Sequence, residues 1–253
     1  MNSMHFGFAA VAAAALTFTV PAAAIAPLGG FDGSFETGLA GWTSTGDVSL
    51  RSLGPAAPSQ GFLYVLLTSA SKTSQDDFPV AAGVFNFSGT AAADVAVLQL
   101  QLGVAPGALD PDPVNFVSAL EGSIIQRSLV VQAGSTLSFD WNFLTNESGP
   151  APLPDYAFVS INGNLTRLAD TASVLQPSSF FTLATGYQTT SIVFASDATV
   201  VLGFGVVDVS DFTVTSALAI DNIQITPVPE PQTYALLLVG LATLGALVRK
   251  RRR

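Results

Sequence analysis

The sequence has no cysteine and only one histidine, His5. The first absence excludes disulfide stapling, thiolate nucleophiles and zinc–sulfur clusters. The second removes the imidazole base of the serine and cysteine triads; a serine nucleophile in residues 27–227 would have only Lys72 to turn to. Cations are scarce as well. Residues 27–227 hold four, Arg51, Lys72, Arg127 and Arg167, against 17 Asp and Glu, a net charge of −13. A surface of that sign repels nucleic acid and anionic lipid; it suits a soluble surface protein or a cation binder, with calcium as the candidate ion. Paired acids are the remaining route to catalysis, since a glycosidase needs two of them flanking the bond. Asp110 with Asp112 and Asp140 with Glu147 are pairs close in sequence. Asp110-Pro111-Asp112-Pro113, however, has the composition of a rigid turn, and no spacing favours a hydrolase. The expectation is a protein without catalytic activity.

What the chain has in quantity is short apolar runs rich in Val, Phe and Thr, punctuated by Pro, Gly and Ser, the pattern of many short strands. Strands are predicted over 48–52, 62–68, 123–131, 136–145, 156–161, 165–170, 180–183, 188–194, 199–208 and 216–226. Asn162-Gly163 tolerates positive φ at both positions and predicts a two-residue hairpin. Leu137, Phe139, Trp141 and Phe143 share one face of their strand while Ser138, Asp140 and Asn142 share the other, which assigns Trp141 to the core. In the last strand Leu218 and Ile220 have one parity and Ile223 and Ile225 the other, so a single core face demands a bulge near Asp221-Asn222. A helical period surfaces only over 91–104, where Val95, Leu98 and Leu102 follow a candidate Asp94 cap. Many strands without alternating helices predict an all-β fold of two packed antiparallel sheets, a jelly-roll-like sandwich, as one domain over 27–227. The Pro-rich loops 105–113 and 146–154 are where binding variation is expected.

Both ends carry addresses. An apolar run over 6–20 followed by Ala22-Ala23-Ala24 predicts a signal helix, a peptide over 1–24 that signal peptidase removes, although its first five residues lack Lys and Arg. At the other end, Val228-Pro229-Glu230-Pro231 precedes an apolar run over 234–248 and then Arg249, Lys250, Arg251, Arg252 and Arg253. The apolar run is expected to be a transmembrane helix, and a marginal one. At 1.5 Å per residue it covers about 22 Å of a ~30 Å hydrocarbon core. Its terminal cations should stay cytoplasmic, which places the rest of the chain on the outer side.

The order of these three tail pieces over 228–253 resembles the PEP-CTERM sorting tail, also known as the ice-binding protein C-terminal domain. The resemblance implies a two-membrane bacterium, processing by an exosortase near the tripeptide, transient anchoring in the inner membrane, and release to the cell surface or an exopolysaccharide matrix. The body lacks the short Thr repeat that a flat ice-binding face would show. Gly30 to Trp42, with its Phe35-Glu36 pair before a Gly-rich turn and Trp42, resembles the opening strand of galactose-binding-like and carbohydrate-binding jelly rolls, and Ala219-Ile220-Asp221-Asn222-Ile223 resembles their closing strand. That resemblance implies a structural calcium held by Glu36 and Asp221, with Asp32 as a third ligand; Ca²⁺ takes six to eight oxygens. Segments from Gly134 to Glu147, Asp155 to Val159, Gly203 to Val209 and Ser216 to Asn222 are similar to exported proteins bearing this tail, which brings no activity with it. Two readings follow: a structural or adhesive matrix protein, and a module that binds extracellular polysaccharide. For the second, aromatic rings beside loops are the candidate contacts, and Tyr156 and Tyr187 are the two placed there.

Overall fold

The structure, a computed structural model, describes residues 33–73, 80–115, 117–147, 154–173, 175–227 and 231–251. The expected signal peptide over 1–24, Asp32, Val228, Pro229, Glu230, Arg252 and Arg253 lie outside the described residues. In chain order the elements are β1 (Thr43–Thr45), β2 (Asp47–Arg51), β3 (Tyr64–Thr68), β4 (Ala93–Asp94), α1 (Val95–Leu102), β5 (Ala119–Val131), β6 (Thr136–Thr145), β7 (Tyr156–Ile161), β8 (Asn164–Asp170), β9 (Gln176–Pro177), β10 (Leu183–Ala184), β11 (Gln188–Val193), β12 (Ala198–Val209), β13 (Ser216–Thr226) and α2 (Pro231–Arg251).

They form the expected two antiparallel sheets. One runs β1-β5-β12-β7-β8 with β4 added to β5; the other runs β2-β3-β13-β6-β10-β9 with β11 added to β6. The period-2 pattern decides what lies between them. Leu137, Phe139, Trp141 and Phe143 of β6 meet Val200, Leu202, Phe204 and Val206 of β12, with Val65 and Leu67 of β3 and Leu218 and Ile220 of β13 completing the layer. Phe139 and Phe204 touch edge to face at 4.8 Å. The outer faces are covered too. α1 lays Leu98 and Leu102 over Ile124, Phe158 and Val207 of one sheet, and Phe85 and Phe181 cover Tyr64, Leu66 and Leu144 of the other.

Local expectations fare according to how local their causes are. Asn162 and Gly163 take φ of 51° and 79°, and Ile161 pairs with Asn164 across them, so the two-residue hairpin forms. The register of β13 against β6 shifts between Asp221 and Gln224, and Asn222 has φ 51°, which is the bulge that the parity of Ile220 and Ile223 required. The helix over 91–104 is shorter, Val95–Leu102: Asp94 caps it by accepting from Ala96 N, and Gly103 ends it in the left-handed region. The strand over 62–68 begins only at Tyr64, because the carboxylate of Glu36 takes the N–H groups of Phe62 and Leu63. The strand over 180–183 shrinks to Leu183–Ala184; Phe180 and Phe181 instead join Phe85 in an aromatic cluster.

The tail is helical over Pro231–Arg251, and its last turn holds Arg249, Lys250 and Arg251, where cations meet the negative end of the helix dipole. No helix among the described residues is long and apolar enough to cross a membrane. The transmembrane helix expected over 234–248 is therefore corrected to a helix with a short apolar run, which basic residues follow after fifteen positions.

Candidate functional site

A groove opens where edge strand β8 of one sheet approaches the β6–β11 side of the other. Its volume is about 440 Å3, and it is lined by Trp141, Leu168, Ala169, Ser173, Gln176, Thr185 and Gln188. Each residue is there for a local reason. Trp141 points inward with its β6 neighbours, as its parity requires, and Gln188 of β11 is its direct cross-strand partner. The indole keeps 8% of its surface exposed and donates from Nε1 to Thr190 Oγ1 at 2.8 Å, which fixes the ring plane. Thr185 Oγ1 accepts from Phe143 N at 3.0 Å. Ser173 sits in a turn held by Asp170, whose backbone N donates to Ser173 Oγ and whose carboxylate accepts from Ala172 N. Arg167 donates to Asp170 at 3.1 Å and lies over the ring of Tyr156, 4.3 Å from its centroid.

None of the seven lining side chains is charged. In a body with a net charge of −13, that neutrality sets this surface apart. An aromatic and aliphatic floor flanked by two amides and two hydroxyls suits a ligand that presents C–H faces and many hydroxyls, and the volume falls within the ~300–1,000 Å3 of small-molecule sites.

The aromatic residues nominated from sequence lie elsewhere. Tyr156 is 6% exposed, under Arg167, and its hydroxyl donates to Leu109 O. Burial pushes its phenol well above the ordinary range, and the ring packs into the layer that covers the outer face of its sheet. Tyr187 packs half-buried against the cluster around Tyr64. Its hydroxyl is buried, and burial together with the nearby Asp221 raises its pKa strongly. Trp42, half-buried, packs at a tilt against Phe35, 5.6 Å between ring centroids, and Phe204, 6.4 Å. The signal for Trp141 was present but partial: alternation places it in the core, and only the gap between the two sheet edges exposes it.

Glu36 and Asp221 hold one loop. Glu36 Oε1 accepts from Phe62 N and Leu63 N at 2.7 and 2.9 Å. Asp221 Oδ2 accepts from Ser59 N and Gln60 N at 2.7 and 2.9 Å, and its Oδ1 accepts from Asn222 N. Gly61, at φ 69°, lies between these anchors, where an added Cβ would collide with the Glu36 carboxylate. The two acids therefore converge on the backbone of 59–63, and burial is the main cause that raises the pKa of Asp221. Among the described residues no group of three or more Asp, Glu, His or Cys side chains is arranged to hold a metal ion.

Comparison with known proteins bears on the tail and the body separately. Residues 227–253 match the PEP-CTERM protein-sorting motif. No curated protein matches the chain. Among solved structures, the chain is similar to the carbohydrate-binding module TmCBM61 in complex with β-1,4-galactotriose, at 11% identity over 78% of this chain and 95% of that one, TM-score 0.40. It is also similar to the K3 cleaved adhesin domain of Lys-gingipain from Porphyromonas gingivalis, at 12% identity over 78% and 98%, TM-score 0.36. A third is the CBM22-1 xylan-binding domain from Paenibacillus barcinonensis, at 15% identity over 78% and 92%, TM-score 0.30. The protein thus joins an all-β sandwich body to a C-terminal PEP-CTERM protein-sorting motif.

Proposed function

We propose that this is a non-catalytic protein exported to the cell surface or the extracellular matrix, cut by an exosortase near Val228-Pro229-Glu230-Pro231, and that its body binds a neutral polysaccharide chain in the Trp141 groove. The sorting motif supports the destination. The observation that carries the binding reading is the uncharged, tryptophan-floored groove in an otherwise strongly acidic body. The floor would take a sugar face, and Gln176, Gln188 and Ser173 would take its hydroxyls.

A glycan array with the purified protein tests the binding. Neutral oligosaccharides are expected to be retained, and Trp141→Ala should weaken retention at least tenfold. Since Trp141 also fills the core, Gln188→Ala on the exposed rim is the second variant, with a loss of severalfold. Retention unchanged in both variants, or no retention of any neutral glycan, rejects the groove. The sorting reading is tested by mass spectrometry of the exported protein. A carboxyl terminus within 229–232 is expected, and an intact Arg253 rejects processing.

A further inference from the structure

Three acids lie side by side across three adjacent strands. Asp208 of β12 is the direct partner of Glu121 on β5. On its other side Val207 pairs with Tyr156 of β7, so the next rung sets Asp208 opposite Asp155. Asp208 has the parity of Val206, and Asp155 that of Ala157, both of which face the space between the sheets. Asp155 is fully buried and Asp208 is 1% exposed. Asp155 has donors: Val209 N at 2.9 Å and Ser216 Oγ, from the opposite sheet, at 2.7 Å. Oδ2 of Asp208 is buried without a hydrogen-bond partner.

The charged groups that act on Asp208 are all carboxyls. They are Asp155 just before β7, Asp211 in the loop after β12, Glu121 on β5 and Glu147 just after β6. The body's cations are placed elsewhere: Arg51 over Phe87, Arg127 on Ala40 O, Arg167 on Asp170, and Lys72 exposed. A carboxylate with a buried unpartnered oxygen and no cation beside it costs several kcal/mol in an apolar interior, and the usual relief is to keep the proton. The absence of a metal-holding arrangement among the described residues favours a proton over a metal ion.

We propose that Asp208 is a buried proton-binding site: in the folded protein it is a neutral acid at physiological pH, and losing that proton loosens this end of the sandwich. Burial first, then Asp155, Asp211, Glu121 and Glu147, hold its pKa far above the carboxylate range, and burial with Glu147 and Asp211 raises that of Asp155 too. The sign follows by linkage. The folded state keeps a proton that the unfolded chain releases above about pH 4, so this group's contribution to stability is greatest below that value and falls as pH rises toward the raised pKa.

Melting the full chain across pH tests this. The transition temperature is expected to fall by about 5–10 °C from pH 5.5 to pH 8.5. Asp208→Asn should raise it at pH 8.5 and remove most of the slope. Infrared spectroscopy of the wild-type protein at pH 7 gives a readout that does not depend on the variant folding, since a protonated carboxyl band should be present. A melt that is flat with pH, an Asp208→Asn variant that keeps the wild-type slope, or the absence of that band overturns the proposal. If calcium raises the melt at pH 8.5 while the wild type alone is insensitive to pH, the row is a cation site and the proton assignment is wrong.

Discussion

Two pairs of carboxyls that face each other directly across neighbouring strands, one chosen from each sheet, are handled in opposite ways. Asp221 opposes Asp140 in the β13–β6 ladder, and Asp208 opposes Glu121 in the β12–β5 ladder. Like charges in that position repel by up to about 1 kcal/mol. The first pair is surrounded by donors. Ser59 N, Gln60 N and Asn222 N reach Asp221, Ser59 Oγ reaches both acids, and Thr189 Oγ1 and Asn222 Nδ2 reach Asp140. A hydrogen bond to a charged group contributes about 1.5–3 kcal/mol, so even one or two outweigh the repulsion. In the second pair Asp208 Oδ2 has no such donor. The contrast sets a pair whose charges are offset by backbone N–H groups from a loop against a pair for which we propose a retained proton.

Acid-removing substitutions at the two places sharpen this contrast because they should act with opposite sign. The largest effect is expected at Asp221→Ala, which frees the loop at Ser59 and Gln60. Chemical denaturation should show a loss of about 3 kcal/mol, and a loss below about 1 kcal/mol would mean that the loop is held by other contacts. Asp208→Asn at pH 8.5 should stabilise, by about 2 kcal/mol, since the amide is neutral in both states and folding no longer has to take up a proton. A loss of stability there would break the comparison outright. Glu36→Gln comes last. Its amide oxygen still accepts from Phe62 N and Leu63 N, so a change under about 1 kcal/mol is expected from the same measurement.

Much of the fold was legible because its signals are short-ranged. Alternation in Thr136–Thr145 and the short apolar run Tyr156–Ile161 marked those strands to the residue. The mismatch between Ile220 and Ile223 located a bulge from parity alone. The shortfalls came where a distant residue intervenes. Glu36 shortens the strand that begins at Tyr64, and Phe85 draws Phe180 and Phe181 out of a ladder. The loop position of Tyr156 suggested exposure, yet α1 and the segment carrying Leu109 cover it.

The sequence by itself determined the sorting motif, the two-sheet class and the face on which Trp141 lies, since each depends on residues a few positions apart. Only the tertiary structure decided that Trp141 borders an open groove and that Glu121, Asp208 and Asp155 share one row. The strand order β5-β12-β7 unites segments more than thirty positions apart, and the gap beside β8 depends on how two sheet edges meet. No local period encodes either, because burial and neighbouring charge are properties of the packed sheets.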